Sequence, residues 1–276
     1  MTRSRLIVHA DDFGETVEIT RGILACVEAG IVTSTSILAG FPGASLALRE
    51  AARRGREVSF GVHLNFCEGR PLTRGATLRR EDGRFHSKRA RFLRALAGRL
   101  DAAEVEAEAA AQVEAVAAAG VEISHLDSHK HLHQLPVVAD AVLRVARRFG
   151  IGRVRCTLEE SFWTKGTGLA AGASRLVRRR LARRLLTAIE EGGFRTTARV
   201  FDVRELVAEG RRRERTALLR RPGSLSEMFC HPGTERADRE KPGSCSRHDE
   251  SRFLLSGEFR DLLREAEVDL VSWWEV

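Results

Sequence analysis

The chain has 276 residues, of which 43% are hydrophobic and 30% charged, enough for one large α/β domain and too mixed for a disordered or membrane-embedded protein. No apolar run approaches the ~20 residues of a transmembrane helix, and the N-terminus "MTRSRLIVHADD" has no long apolar stretch of a signal peptide, so a cytoplasmic protein without a membrane span is expected. The net charge of +8 is carried almost wholly by arginine, with lysine only at positions 88, 130, 165 and 241. That bias, and the helical spacing of "SRLVRRRLARRLLTAIEEGGFR", point to an amphipathic helix with a solvated basic face rather than to a nucleic-acid partner.

Cys26, Cys67, Cys156, Cys230 and Cys245 are scattered, odd in number and without a CxxC, which excludes a disulfide framework and a cysteine zinc site. They are expected to be small core residues.

In chain order, "RLIVHA" reads as a buried strand and "ETVEITRGILACVEAG" as a helix closed by Gly30. "VTSTSILAG" is a strand, "GASLALREAARRG" a helix, and "EVSFGVHLN" a strand. Residues 65–100, with "EGRPLTRGATLRREDGRF", are polar and rich in turn formers. They read as a loop insertion over the mouth of the fold. "DAAEVEAEAAAQVEAVAAAG" is a helix capped by Asp101, and "VEISHLDSH" a strand entering a polar cluster. "LPVVADAVLRVARRFG" is a helix with Pro136 in its first turn, "GRVRCT" a strand, and "LSEMFCHPG" and "VDLVSWWEV" late strands. Strand and helix alternate throughout, which argues for a parallel sheet with helices outside. The polar clusters all fall where a strand ends. Chemistry collects at the C-terminal strand ends of (β/α) barrels, so an incomplete TIM-like barrel is expected. The whole chain, 1–276, reads as a single domain.

"LIVHADDFGE" delivers two adjacent carboxylates, Asp11 and Asp12, at the end of a buried strand. The DFG it contains is not that of a kinase, because the Gly-rich loop, strand lysine and HRD loop are missing ahead of it. "HLDSHKHLHQLP" holds His125, His129, His131 and His133 within nine residues, with Asp127 among them, out of nine histidines in the chain. All five positions are odd-numbered and would share one side of an extended segment. Four histidines at alternate spacing, with an acid pair elsewhere, are hard to explain as packing. A buried acid cluster is costly without a positive partner, and a divalent cation supplies one. Asp12, His63 and one histidine of the cluster would make a one-carboxylate, two-histidine site with open positions. Of the two acids, one can bind the metal while the other acts as a base. Adjacent residues of an extended chain point opposite ways, so a turn at Phe13-Gly14 must re-aim one of them. His231, in "EMFCHPG", is placed to donate a proton, and Arg155, in "RVRC", to hold the base carboxylate ionised. His9 is expected to pack beside the site.

"ADDFG", "GVHLNFCEGRPL", "HLDSHKHLHQLP" and "EMFCHPG", in this order over nearly the full length, resemble the YdjC-like carbohydrate deacetylases. The resemblance implies an incomplete TIM-like barrel that removes acetyl groups from N-acetylated sugars. It implies Asp12, His63 and His129 as metal ligands and Asp11 as base. His131, His133, His125, Asp127 and Arg155 remain as substrate-binding or supporting residues. Relatives are also linked to hopanoid-type lipid pathways, so the resemblance does not fix the acetylated substrate.

The segment of about 159–200 matches no block and is expected to be a variable helical part that shapes the substrate site or a subunit contact, as in a homodimer. With no tyrosine and 6% aromatics, a short or unusual sugar fits better than a long polymer. Zinc suits the histidines and magnesium the carboxylate, so ligand type does not choose the single divalent ion. Two alternatives are a metal-dependent hydrolase of another ester or phosphoester, and a non-catalytic basic binding protein.

Overall fold

The computed structural model describes residues 2–158, 169–207, 212–240 and 246–276, with side chains of its longest helix described from residue 176 onward. The elements are β1 (Ser4–Phe13), α1 (Val17–Glu28), β2 (Ser34–Ile37), α2 (Ala44–Arg54), β3 (Ser59–Leu64), α3 (Lys88–Leu96), α4 (Ala102–Ala117), β4 (Leu126–Ser128), α5 (Pro136–Arg148), α6 (Leu169–Glu191), β5 (Arg199–Asp202), α7 (Arg204–Val207), α8 (Arg212–Leu219), β6 (Leu225–Cys230), α9 (Glu235–Glu240), α10 (Arg247–Leu255), α11 (Gly257–Glu265) and β7 (Val268–Leu270).

Among the described residues seven strands form one parallel sheet, six of them in the order β4-β3-β2-β1-β6-β5. β7 pairs with the first residues of β1, whereas β2 pairs with its second half, from His9 onward. Isolated parallel bridges, Leu126 with Val154 and Arg153 with Arg195, carry the curl from β4 towards β5. The result is the incomplete barrel with outer helices that the alternating pattern predicts.

Period-two alternation sorts the strand residues. Leu6, Val8 and Ala10 of β1, Phe60 and Val62 of β3, and Met228 and Cys230 of β6 join the main apolar cluster between sheet and helices. The intervening residues face the barrel interior. Its floor is apolar, with Ile7, Val271 and fully buried Trp273. Above that floor the interior is polar: His9, Ser34, Ser36, Ser59, His63, His125, Asp127, Arg155 and Glu227 are all buried.

Three expectations need correction. "GRVRCT" forms only a two-residue bridge rather than a strand. β5, in "RVFD", carried no strand reading because it is short and follows a long basic run. The 65–100 insertion contains a helix, α3, and is tied down from within. Buried Arg91 donates from Nε to the Phe66 carbonyl at 2.8 Å and from its guanidinium to the carbonyls of Thr77 and Leu78. Glu108 and Glu104 of α4 accept from the backbone N–H groups of Leu72, Thr73, Ala76 and Thr77. A polar loop thus gains order by satisfying its backbone against one helix.

Part of the arginine excess is consumed in ion pairs, as where Arg212 and Arg215 of α8 meet Glu265 and Glu258 of α11. Cys26, Cys67, Cys156 and Cys230 are buried free thiols, while Cys245 and the start of the 159–200 segment lie outside the described residues. Among the described residues no helix is long and apolar enough to cross a membrane.

Candidate active site

The two adjacent acids at the end of β1 are separated by the backbone. Asp12 has φ +69, and the pairing with β2 shifts register between Ala10 and Phe13. The bend begins at Asp12 itself, one residue before the Phe13-Gly14 turn where it was expected, and Gly14 continues it at φ +98. Aspartate is one of the few side chains that tolerate this region, at a cost of about 1–3 kcal/mol. The bend puts Asp11 and Asp12 on different neighbours within one cavity.

Asp12 faces the two histidines. Its Oδ1 lies 2.9 Å from His129 Nδ1 and 3.5 Å from His63 Nε2. One ligand atom from each of Asp12, His63 and His129 falls within 4.8 Å of the others, and all three residues are buried. The opposite nitrogen of the His63 ring, Nδ1, is 2.8 Å from Asp127 Oδ1 and 3.0 Å from the Ser36 hydroxyl, so Nε2 is left to face Asp12. Outer carboxylate partners of this kind orient metal-binding imidazoles. Burial would lower the pKa of both histidines, but Asp127 and Asp11 raise that of His63, and Asp12 raises that of His129. Burial pushes the Asp12 carboxyl up, yet His129 and Arg247 outweigh it and hold it well below the usual range. A carboxylate and two imidazoles in reach of one point suit a divalent cation, and His129 Nε2, on the other side of its ring from Asp12, lies 3.5 Å from Glu68 Oε2.

Asp11 faces Arg155 instead. Arg155 Nη1 donates to Asp11 Oδ1 at 2.8 Å and approaches Asp127 Oδ2 at 2.7 Å; Nε and Nη2 donate to Glu227 Oε1 at 2.9 and 2.7 Å. One fully buried guanidinium thus serves three carboxylates. Burial would lower its pKa, but Asp11, Glu227 and Asp127 raise it well above normal. Burial pushes the Glu227 carboxyl up to about 7 against the pull of Arg155. The Nε2 of His231, 28% exposed at the end of β6, lies 3.9 Å from Asp11 Oδ2. Its backbone N–H donates to Glu250 Oε2 at 2.6 Å.

The histidine cluster does not stay on one line. β4 ends at Ser128, and Lys130 and His131 take φ +57 and +55, which turns the chain. Of the five alternate residues, Asp127 and His129 reach the Asp12–His63 pair. His131 stacks edge-on to Phe229, and His133 pairs with the Ser128 hydroxyl at 2.6 Å. His125 sits lower, stacked on Trp273 and edge-on to His9. Beyond the turn, Lys130 pairs with Glu68 and, with His131, Lys88, Phe92, Leu135 and Leu181, lines a largely apolar cavity of about 620 Å³.

Four residues at the site were not singled out in the sequence: Glu15, Glu68, Glu227 and Arg247. Glu15 and Glu68 form a second group with His129 within the same 4.8 Å spacing. Glu15 ends the stretch "LIVHADDFGE" and Glu68 lies inside "GVHLNFCEGRPL", which was the available signal. Arg247 carried none.

At the C-terminal mouth of a parallel barrel, one buried carboxylate and two imidazoles thus lie within reach of one point, beside a second acid held by a guanidinium. The sequence model described as YdjC-like protein matches residues 5–265, and the chain belongs to that family. It is 36% identical to a carbohydrate deacetylase of Danio rerio over 160 residues, 56% of this chain and 50% of that one. It is 35% identical to carbohydrate deacetylases of Vibrio cholerae, over 53% of this chain and 57% of that one, and of Geobacillus stearothermophilus, over 52% and 56%. The chain thus spans about half the length of the curated relatives it matches. A solved structure from Enterococcus faecalis, provisionally described as a cellobiose-phosphate cleavage protein, superposes with TM-score 0.76 over 100% of this chain and 99% of that one at 22% identity, a likeness of fold.

Proposed function

We propose that the protein is a metal-dependent hydrolase that removes the acetyl group from an N-acetylated sugar or small glycoconjugate. The observation that carries the reading is the division of labour at the end of β1: Asp12 turned to His63 and His129, Asp11 turned to Arg155. Relatives at about 35% identity that are named carbohydrate deacetylases support the substrate class.

Asp12, His63 and His129 would hold one divalent cation, magnesium or zinc. Bound there, it would polarise the amide carbonyl and lower the pKa of a water from 15.7 towards about 7. Asp11 is the general base. Arg155 occupies its Oδ1, which leaves Oδ2 on the side of His231 to take the proton of the attacking water. His231, partly exposed at the mouth, donates a proton to the departing amine. Water's hydroxyl joins the acetyl carbon, the C–N bond breaks, and acetate and a free amino sugar leave. Phe229 and His131 wall the mouth, and the cavity beside Lys130 takes the rest of the substrate.

The test is acetate release from a panel of N-acetylated mono- and oligosaccharides, with and without chelator, by wild type and Asp11→Asn. The variant should keep its metal and lose about 10²–10⁴-fold in turnover. Near-wild-type turnover by Asp11→Asn would remove the base assignment, and chelator-resistant activity would remove the metal.

A further inference from the structure

Asp12 has two carboxylate oxygens, and only Oδ1 faces the histidines. Oδ2 accepts a hydrogen bond from Arg247 Nη2 at 2.7 Å, and the same nitrogen lies 3.0 Å from Glu15 Oε2. The Asp12 and Glu15 side chains are 3% and 2% exposed, and Arg247 is 14% exposed at the rim. Its Nη1 is buried with no hydrogen-bond partner.

The placement of Arg247 is built into the fold. It opens α10, where Asp238 accepts from the Ser246 hydroxyl and from the Arg247 and His248 N–H groups. Gly233, of the His231-Pro232-Gly233 turn, donates to the Arg247 carbonyl at 3.2 Å. A Cβ on Gly233 would stand 3.0 Å from Arg247 Cβ, and one on Gly22 of α1 would stand 2.4 Å from Gly233 Cα. Gly22 is needed for α1 and the turn to meet, Gly233 keeps the contact with α10 tight, and that meeting aims the guanidinium at the end of β1.

We propose that Arg247 is a positioning residue that limits how many carboxylate oxygens the cation receives. It keeps Asp12 to one oxygen and holds Glu15, itself close enough to share a ligand group with His129, away from the ion. The inference rests on the reading that Asp12, His63 and His129 hold a divalent cation. Arginine suits the task because it is always charged and accepts nothing. Each carboxylate kept off the ion leaves a position for water and the acyl oxygen, and preserves its power to polarise them. The arrangement sacrifices affinity, since a fixed positive charge beside the site repels the ion.

The experiment titrates Co²⁺ and Zn²⁺ into the metal-stripped full chain by calorimetry, beside turnover measurements on the loaded protein. Arg247→Gln keeps one donor to Asp12 and removes the charge. It should bind metal about 10-fold more tightly and turn over at least about 10-fold more slowly, opposite to the joint loss that follows when an outer partner merely orients a ligand. Arg247→Lys should stay near wild type in affinity. Adding Glu15→Gln to Arg247→Gln should return affinity towards wild type. Affinity in Arg247→Gln that is unchanged or weaker would overturn the proposal. Should that variant fold poorly, Glu15→Gln alone decides. Glu15 is no ligand in the wild type, so affinity should hold within a few-fold, and a loss of about 10-fold or more would overturn the proposal. Wild-type protein that takes up neither ion would instead sink the metal site itself.

Discussion

Two histidine–aspartate groups sit one above the other in the barrel, alike in composition and opposite in design. The lower one is His9, His125 and Asp127; the upper one is Asp12, His63 and His129. Both bring their ligand atoms within 4.8 Å and both are buried. In the lower group His9 is pinned between the Ser34 and Ser36 hydroxyls at 2.8 and 3.1 Å, and His125 between the Ser124 hydroxyl, Trp273 and His9. Burial lowers the pKa of His9 far below normal and that of His125 to about 3, so both stay neutral. In the upper group, nearby carboxylates raise both histidines instead. The same residue types pack among hydroxyls and aromatic rings in the lower layer, and face one another around the proposed cation site in the upper.

Breaking the upper group should have the largest effect. His129→Ala removes one of the three proposed ligands and should weaken divalent-metal binding on the order of 10³-fold, about 4 kcal/mol. His125→Asn, one layer down, should leave that affinity within a few-fold. Calorimetric titration of both metal-stripped variants checks the pair. Equal losses would mean that the ion sits lower than proposed.

The layering explains what the sequence revealed and withheld. The fold was legible because each strand–helix pair carries its own pattern, and "ADDFG" and "HLDSH" mark strand ends by their chemistry. Period two also announced that His125, Asp127 and His129 face inward. It could not say how high in the barrel each would sit, because that depends on the stagger of neighbouring strands, such as His63 opposite Asp127. It failed beyond Ser128, where consecutive positive φ angles at Lys130 and His131 end the alternation. The bend was misplaced for a related reason: it was sought at glycine, the usual residue for it, and begins at Asp12. Arg247 and Glu227 were invisible because each acts through a partner more than 70 residues away.

A smaller effect sharpens the contrast from below. Gly61 of β3 lies against the His125 ring, and a Cβ there would come within 2.5 Å of its Cε1 and Nε2. The ring cannot retreat, with Trp273 stacked at 4.9 Å on one side and His9 at 5.0 Å on another. Gly61→Ala should therefore cost about 1–3 kcal/mol of stability by overpacking, read by urea unfolding, with metal affinity unchanged. A variant as stable as wild type would mean that the lower group is loosely packed.

The smallest effect separates the groups by pH. His125 ionises at about 3 in the fold, against the ordinary 6.5, because burial disfavours its charged form. Between those values the unfolded chain binds a proton there and the folded chain does not. Its contribution is therefore complete above pH 6.5 and is lost as pH falls, by about 1.4 kcal/mol per unit. His133, at about 4, acts in the same direction. Glu227, raised to about 7, opposes them, since the fold holds its proton where the unfolded chain has lost it. His63 and His129, also raised, oppose them in turn, with stability lost as pH rises through their folded values. Total stability mixes these signs, so the useful quantity is the difference between wild type and His125→Asn. Measured by urea unfolding of metal-free protein from pH 7.5 to 5, the wild-type advantage should shrink steadily below pH 6.5. An advantage that stays constant across that range would show that His125 accepts a proton inside the fold, and the lower group would no longer be the neutral counterpart of the upper one.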